Sequence, residues 1–150
     1  MANKAKTAKL KDRVVARQAG QFICLYSELT ESLAYRSLSS GARCLLQEMM
    51  ALAWPDRNGR VAMSHERAAG LVRCTKKTAG TYLEKLLVRG FIKLEKGEIW
   101  QERLAREYSI TMATRQGRQP SHEYLRWLEG DNFYGKNKKF AGVNETPELE

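Results

Sequence analysis

Ser64 to Ile92 reads SHERAAGLVRCTKKTAGTYLEKLLVRGFI and contains two helix starts eleven residues apart. Ser64 is a good N-cap, and Glu66 in the following turn complements the helix dipole. Ala68, Ala69, Leu71 and Val72 supply a small apolar face, small enough to let a second helix cross closely. Arg73-Cys74 is a short connection, and Thr75 is a second N-cap. The helix that follows is strongly periodic. Ala79, Leu83, Leu86 and Leu87 share one stripe with Tyr82 beside them, and Lys76, Lys77, Gly80, Thr81 and Lys85 take the other face. Gly90 stops the helix as a C-terminal cap.

Two helices of this size joined by a tight turn make a helix-turn-helix pattern. The second helix of such a pair enters the DNA major groove N-terminus first. Lysines there meet phosphates or guanine edges, and small polar residues allow close approach. The candidate contacts on this helix are Lys76, Lys77, Thr78, Thr81 and Lys85. Ser64, Arg73 and Thr75, at the helix starts and the turn, are candidate backbone contacts.

The flanks extend the pattern. Phe91 to Glu95 alternates apolar and charged residues, as a half-buried strand does, and Lys96-Gly97-Glu98 reads as a turn. Glu107 to Thr114 alternates again, through Tyr108, Ile110 and Met112. A strand, a long polar loop and a second strand directly after such a helix form a wing, whose candidate phosphate contacts are Lys96, Arg103 and Arg106. Upstream, Leu38-Ser39-Ser40 opens a helix whose apolar residues recur at three and four through Ala53, and Trp54-Pro55 ends it. Asp56 to Gly59 is a turn by composition, and Arg60 to Met63 a short strand for the hairpin to pair with. Phe22 to Tyr26 reads as a brief strand or extended packing segment, followed by a short helix or turn over Glu28 to Tyr35 capped by Ser27.

S-x-E-x-A-A-x-L from Ser64, T-K-K-T-A from Thr75 and L-x-x-L-x-x-x-G-F-I from Leu83 together resemble winged helix-turn-helix proteins of phages, plasmids and integrative elements. LSSGARCLLQEM (Leu38 to Met49) and REYSIT (Arg106 to Thr111) are similar to segments of the same group. The likeness spans roughly Phe22 to Leu128, and it implies DNA contact at Lys76, Lys77, Thr78 and Thr81. The group includes repressors, activators and replication initiators. Gly80 departs from the pattern; in mid-helix it costs about 1 kcal/mol against alanine, or else marks a close backbone approach.

The net charge of +9 is unevenly spread. Residues 1–20 hold six Lys/Arg against Asp12, residues 21–113 fourteen basic against ten acidic, and residues 114–150 six of each. The excess lies in the N-terminal arm and the central domain, which suits a polyanionic partner. Lys4, Lys6, Lys9, Lys11 and Arg13 of the arm are candidate phosphate contacts, with a solubilising tail the equal alternative. Cys24, Cys44 and Cys74 form no C-x-x-C pair, and neither His65 nor His122 completes a zinc spacing with them. Reduced, buried thiols in a cytoplasm are expected. The first twenty residues lack the apolar core of a secretory leader, and the apolar run Met49 to Trp54 is too short to cross a membrane.

No catalytic constellation emerges. Ser121-His122-Glu123 is a string of neighbours, whereas triads meet through space. No glycine-rich run leads to Gly-Lys-Ser/Thr, and no acidic cluster suggests a nuclease metal. Neither enzymatic activity nor a cofactor or metal is expected.

The expected fold is α+β and mostly helical: a winged helix-turn-helix with a three-helix core and a small antiparallel sheet, plus a short C-terminal helix and flexible tails. The expected organisation is a basic arm over 1–20, the winged domain over 21–114, an extension over 115–129 folded back on it, and a loose tail over 130–150. In the extension, Ser121 caps a helix from His122 to Leu128 that buries Tyr124, Leu125, Trp127 and Leu128. In the tail, Phe133, Tyr134 and Phe140 among Lys136, Lys138 and Lys139 suit stacking on a single strand or a clasp on the domain. The expected function is a sequence-specific double-stranded DNA-binding transcriptional regulator of a mobile element, cytoplasmic and nucleoid-associated in a bacterium or phage-infected cell. A homodimer or a protein partner would use the 22–35 segment or the C-terminal extension. Two rivals remain: a replication or conjugation accessory protein at an origin, and a winged-helix interaction module acting as inhibitor or adaptor.

Overall fold

The computed structural model describes residues 23–53, 58–97, 105–113, 115 and 117–138. The helical core begins with α1 (Ser27–Glu31) and α2 (Leu33–Arg36). The sequence predicts a short helix or turn over Glu28 to Tyr35 capped by Ser27; Ser27 is instead the first residue of α1, without a side-chain cap, and the chain breaks at Ser32. Its backbone is extended (φ −62°, ψ 144°), its hydroxyl donates to Leu29 O (2.6 Å), and the same oxygen accepts from Tyr35 N (3.2 Å). One serine thus ends one helix and caps the next. Residues 23–26 form no strand; the carbonyl of Tyr26 accepts from the amides of Leu29 and Thr30 at the start of α1.

The helix α3 (Ser40–Ala53) buries Ala42, Leu45, Leu46, Met49 and Ala53, the stripe its periodicity defines. It packs against α4 (His65–Val72) and α5 (Lys76–Val88), which also pack on each other. Gly41 makes the α3–α5 crossing close: a Cβ there would lie 2.4 Å from Tyr82 Oη. On α4, Ala68 is fully buried and Ala69 and Val72 partly so, but Leu71 is 39% exposed rather than part of the apolar face.

Between α3 and α4 lies β1 (Val61–Ala62), and after α5 come β2 (Ile92–Lys96) and β3 (Glu107–Ile110). The sheet is antiparallel in the order β1-β3-β2, with Val61 opposite Tyr108 and Ile92 opposite Ile110. A bulge between Leu94 and Lys96 shifts the register near the wing base. Alternation predicts β3 through Thr114, yet the strand stops at Ile110. There the chain is diverted: Thr111 N donates to Phe91 O (3.0 Å) and Thr111 Oγ1 to Gly90 O (2.8 Å).

Asn58, read from sequence only as a turn residue, is 6% exposed and clamps the end of β3. Its amide nitrogen donates to Ile110 O (3.0 Å) and Ala113 O (2.9 Å), and its Oδ1 accepts from Ile110 N (2.6 Å). Removing it strands three backbone groups, two of them in buried hydrogen bonds. Leaving a buried polar group unsatisfied costs roughly 1–3 kcal/mol each. Asn58→Ala is therefore expected to lower unfolding free energy by about 3 kcal/mol in urea titration; a loss below about 0.5 kcal/mol would refute the clamp.

The C-terminal extension does fold back, by a different route. The short helix expected over His122 to Leu128 is a 3-10 helix confined to Glu123–Arg126. His122, in left-handed geometry (φ 47°, ψ 39°), occupies the cap position and Ser121 does not cap. Tyr124 and Trp127 are buried, while Leu125 and Leu128 are 46% and 65% exposed, because a tighter turn cannot aim all four side chains inward. Tyr124 stacks on Phe91 (centroids 5.1 Å apart, planes at 15°), and Glu123 pairs with Lys93 (2.6 Å). Beyond it, α6 (Phe133–Lys138) rests the half-buried Phe133 and Tyr134 on the core, and Asn132 Oδ1 accepts from Gly135 N (3.0 Å) at its start. The assembly is α+β with six α-helices and a three-stranded antiparallel sheet among the described residues, an arrangement compatible with a winged helix.

Candidate nucleic-acid interface

The α4–α5 pair is locally determined. Ser64 Oγ accepts from Arg67 N (3.0 Å) at the start of α4, and Thr75 Oγ1 accepts from Thr78 N (3.2 Å) at the start of α5. Between them Arg73 takes the left-handed conformation (φ 57°, ψ 55°), and Cys74 N donates to Ala69 O (3.1 Å). Glycine is the usual residue for this geometry. With arginine there, the turn ends in an exposed cation.

On α5, Ala79, Leu83, Leu86 and Leu87 face the core. Lys76, Lys77 and Thr81 are exposed, and Lys85 is half-buried a turn further on. Thr81 Oγ1 donates to Lys77 O (3.2 Å). Thr78 is half-buried and shares a 2.8 Å hydroxyl contact with Thr75, so both threonines serve the helix start. Gly80 is not on the open face: a Cβ there would lie 3.0 Å from the His65 ring. The glycine lets His65 of α4 rest over the middle of α5. Two residues of this surface escaped the sequence reading. His65 is a helix-start residue whose neighbour on α5 is set only by packing. Glu84, exposed one turn after Thr81, puts a negative charge on the same strip.

The start of β3 lies beside this surface. Met63 N donates to Arg106 O (3.0 Å), which places the start of β3 next to the Ser64 cap and hence close to His65. Lys96 at the end of β2 is exposed and Arg106 half-buried. Arg103 and the arm candidates Lys4, Lys6, Lys9, Lys11 and Arg13 lie outside the described residues, as do Phe140 and Lys139.

Charge pairing separates two sets of cations. On the outer face of β2, Lys93 is tied to Glu123, and Arg115 to Glu95, whose Oε1 also accepts from Ser109 Oγ (2.6 Å). Arg73, Lys76, Lys77, Lys85, Lys96 and Arg106 form no ion pair among the described residues. Lys93, in the middle of β2, is thus neutralised, whereas the turn, the α5 strip and the exposed end of β2 keep unpaired cations among the described residues.

The other candidate chemistry does not converge. His122 Nδ1 lies 3.3 Å from Tyr124 Oη and Glu123 is held by Lys93, so Ser121, His122 and Glu123 do not meet. Among the described residues no three His, Cys, Asp or Glu side chains gather as a metal site, and no helix is long and apolar enough to cross a membrane. The cysteines depart from expectation: Cys24 and Cys44 are exposed and Cys74 half-buried, all three as free thiols. Cys44 falls on the solvent side of α3, off the stripe of Ala42, Leu45 and Leu46. No family model, characterised protein or solved structure matches the chain.

Proposed function

We propose that the chain is a winged helix-turn-helix protein that binds double-stranded DNA sequence-specifically and regulates transcription, in the setting of a mobile element. One observation carries this reading: Arg73, Lys76 and Lys77, at the turn and the first turn of α5, are exposed cations without an ion pair among the described residues. In this reading α5 enters the major groove with Lys76 and Lys77 leading, and Arg73, Lys96 and Arg106 grip the flanking phosphates. The net charge of +9 assists encounter.

The deciding experiment is selection of bound sequences from a random duplex pool at two salt concentrations. Enrichment of one motif supports the reading, and a palindromic motif supports a two-fold dimer. Bulk, salt-sensitive binding with no motif overturns sequence specificity and makes the surface a generic polyanion site. On the selected site, Lys77→Ala is expected to cost roughly 1–3 kcal/mol of binding free energy. Unchanged affinity at fixed salt would remove Lys77 from the contact set.

A further inference from the structure

At the far end of α5 from Lys76 and Lys77 lies a cleft of about 400 Å³. Its walls are Leu33 and Ser37 around α2, Val88 and Arg89 at the end of α5, and Trp127 with the turn Glu129 to Asn132. The turn is closed by two hydrogen bonds, Leu128 N to Asp131 Oδ2 (3.1 Å) and Trp127 Nε1 to Asp131 O (3.0 Å). The cleft is therefore framed by ordered backbone, at a size within the usual range for small-molecule sites.

Arg89 is its central feature. The guanidinium lies over the Trp127 ring, 4.8 Å from the centroid, and Nε donates to Ser37 Oγ (2.7 Å). These contacts fix the plane of the fork. Arg89 makes no ion pair among the described residues, although Glu129 and Asp131 line the same cleft. Burial pulls the guanidinium below its ordinary range, with no carboxylate offsetting it. A half-buried cation held this way favours a bidentate anion. The two carboxylates that line the cleft with it repel a polyanion and attract an ammonium. Leu33, half-exposed at the mouth, and Val88 offer apolar surface.

We propose that this cleft binds a free apolar amino acid, its carboxylate on Arg89, its ammonium towards Glu129 and Asp131, and its side chain against Leu33 and Val88. This goes beyond the DNA-binding reading and does not depend on it: ligand binding is read on the protein alone. Such a ligand would grip the last turn of the helix whose first turn carries Lys76 and Lys77.

The test is calorimetric titration of the full chain with L-phenylalanine and L-leucine. Saturable binding of at least one is expected. The analogue without the ammonium, 3-phenylpropanoate, and the analogue without the carboxylate, phenethylamine, should each bind at least about tenfold more weakly than phenylalanine. Arg89→Gln should weaken the amino acid by about tenfold or more. Because Arg89 also steadies Trp127, Glu129→Gln serves as a second variant at an exposed position. It should weaken phenylalanine severalfold and leave 3-phenylpropanoate unchanged. No saturable binding of either amino acid, equal binding of the two analogues and phenylalanine, or wild-type affinity in Glu129→Gln would overturn the proposal.

Discussion

Raising the salt from 50 to 200 mM is expected to weaken DNA binding by roughly a thousandfold, about 4 kcal/mol. The magnitude follows from counting. Arg73, Lys76, Lys77, Lys85, Lys96 and Arg106 are the described candidate contacts free of internal ion pairs. Each phosphate neutralised releases condensed counterions, so about six contacts give a slope near −5 in log affinity against log salt. The paired cations Lys93 and Arg115 would first have to leave Glu123 and Glu95, and so add little. Replacing Lys76 and Lys77 together should flatten the slope by about two. A slope shallower than about −2 in the wild type would mean that this surface does not track a duplex backbone. The arm residues could steepen the slope beyond this count. A chain starting at residue 21 separates their contribution from that of α5.

Phe91→Ala is expected to lower stability by about 3–5 kcal/mol, a fall in melting temperature of roughly 10 °C. Phe91 is fully buried and joins three parts of the molecule. Its amide donates to Leu86 O (3.1 Å) at the end of α5, its carbonyl accepts from Thr111 N, and its ring stacks on Tyr124. Truncation loses the transferred ring surface, opens a cavity and removes the seat of the C-terminal extension. A double-mutant cycle with Tyr124→Ala should reveal a coupling of about 0.5–1.5 kcal/mol from the stacked pair. A single-variant loss under about 1 kcal/mol would show that the extension does not depend on this contact.

The three long helices were legible because their signals are local. Leu45, Leu46 and Met49, or Leu83, Leu86 and Leu87, mark a face by spacing alone. Ser64 and Thr75 mark starts through bonds three residues away. The cations of the α5 strip were readable for the same reason, since exposure follows from the face opposite an apolar stripe. Ser32 was less legible. Its hydroxyl caps Leu33–Arg36 while Ser27 caps nothing, and burial of Leu29, Ala34 and Tyr35 accompanies the break between the two short helices.

Sequence by itself therefore determined the helices α3, α4 and α5, their caps, the direction of the hairpin after Gly90 and the basic outer strip of α5, because each depends on neighbours within about one turn or one strand. Tertiary structure alone decided the rest. Asn58 meets Ile110 across 52 positions, Phe91 finds Tyr124, and His65 settles on Gly80. It also decided which cations are paired, since Lys93 and Lys96 share one strand and Glu123 folds back onto the first alone. Such pairings are fixed by long-range packing, and no periodicity in the chain encodes them.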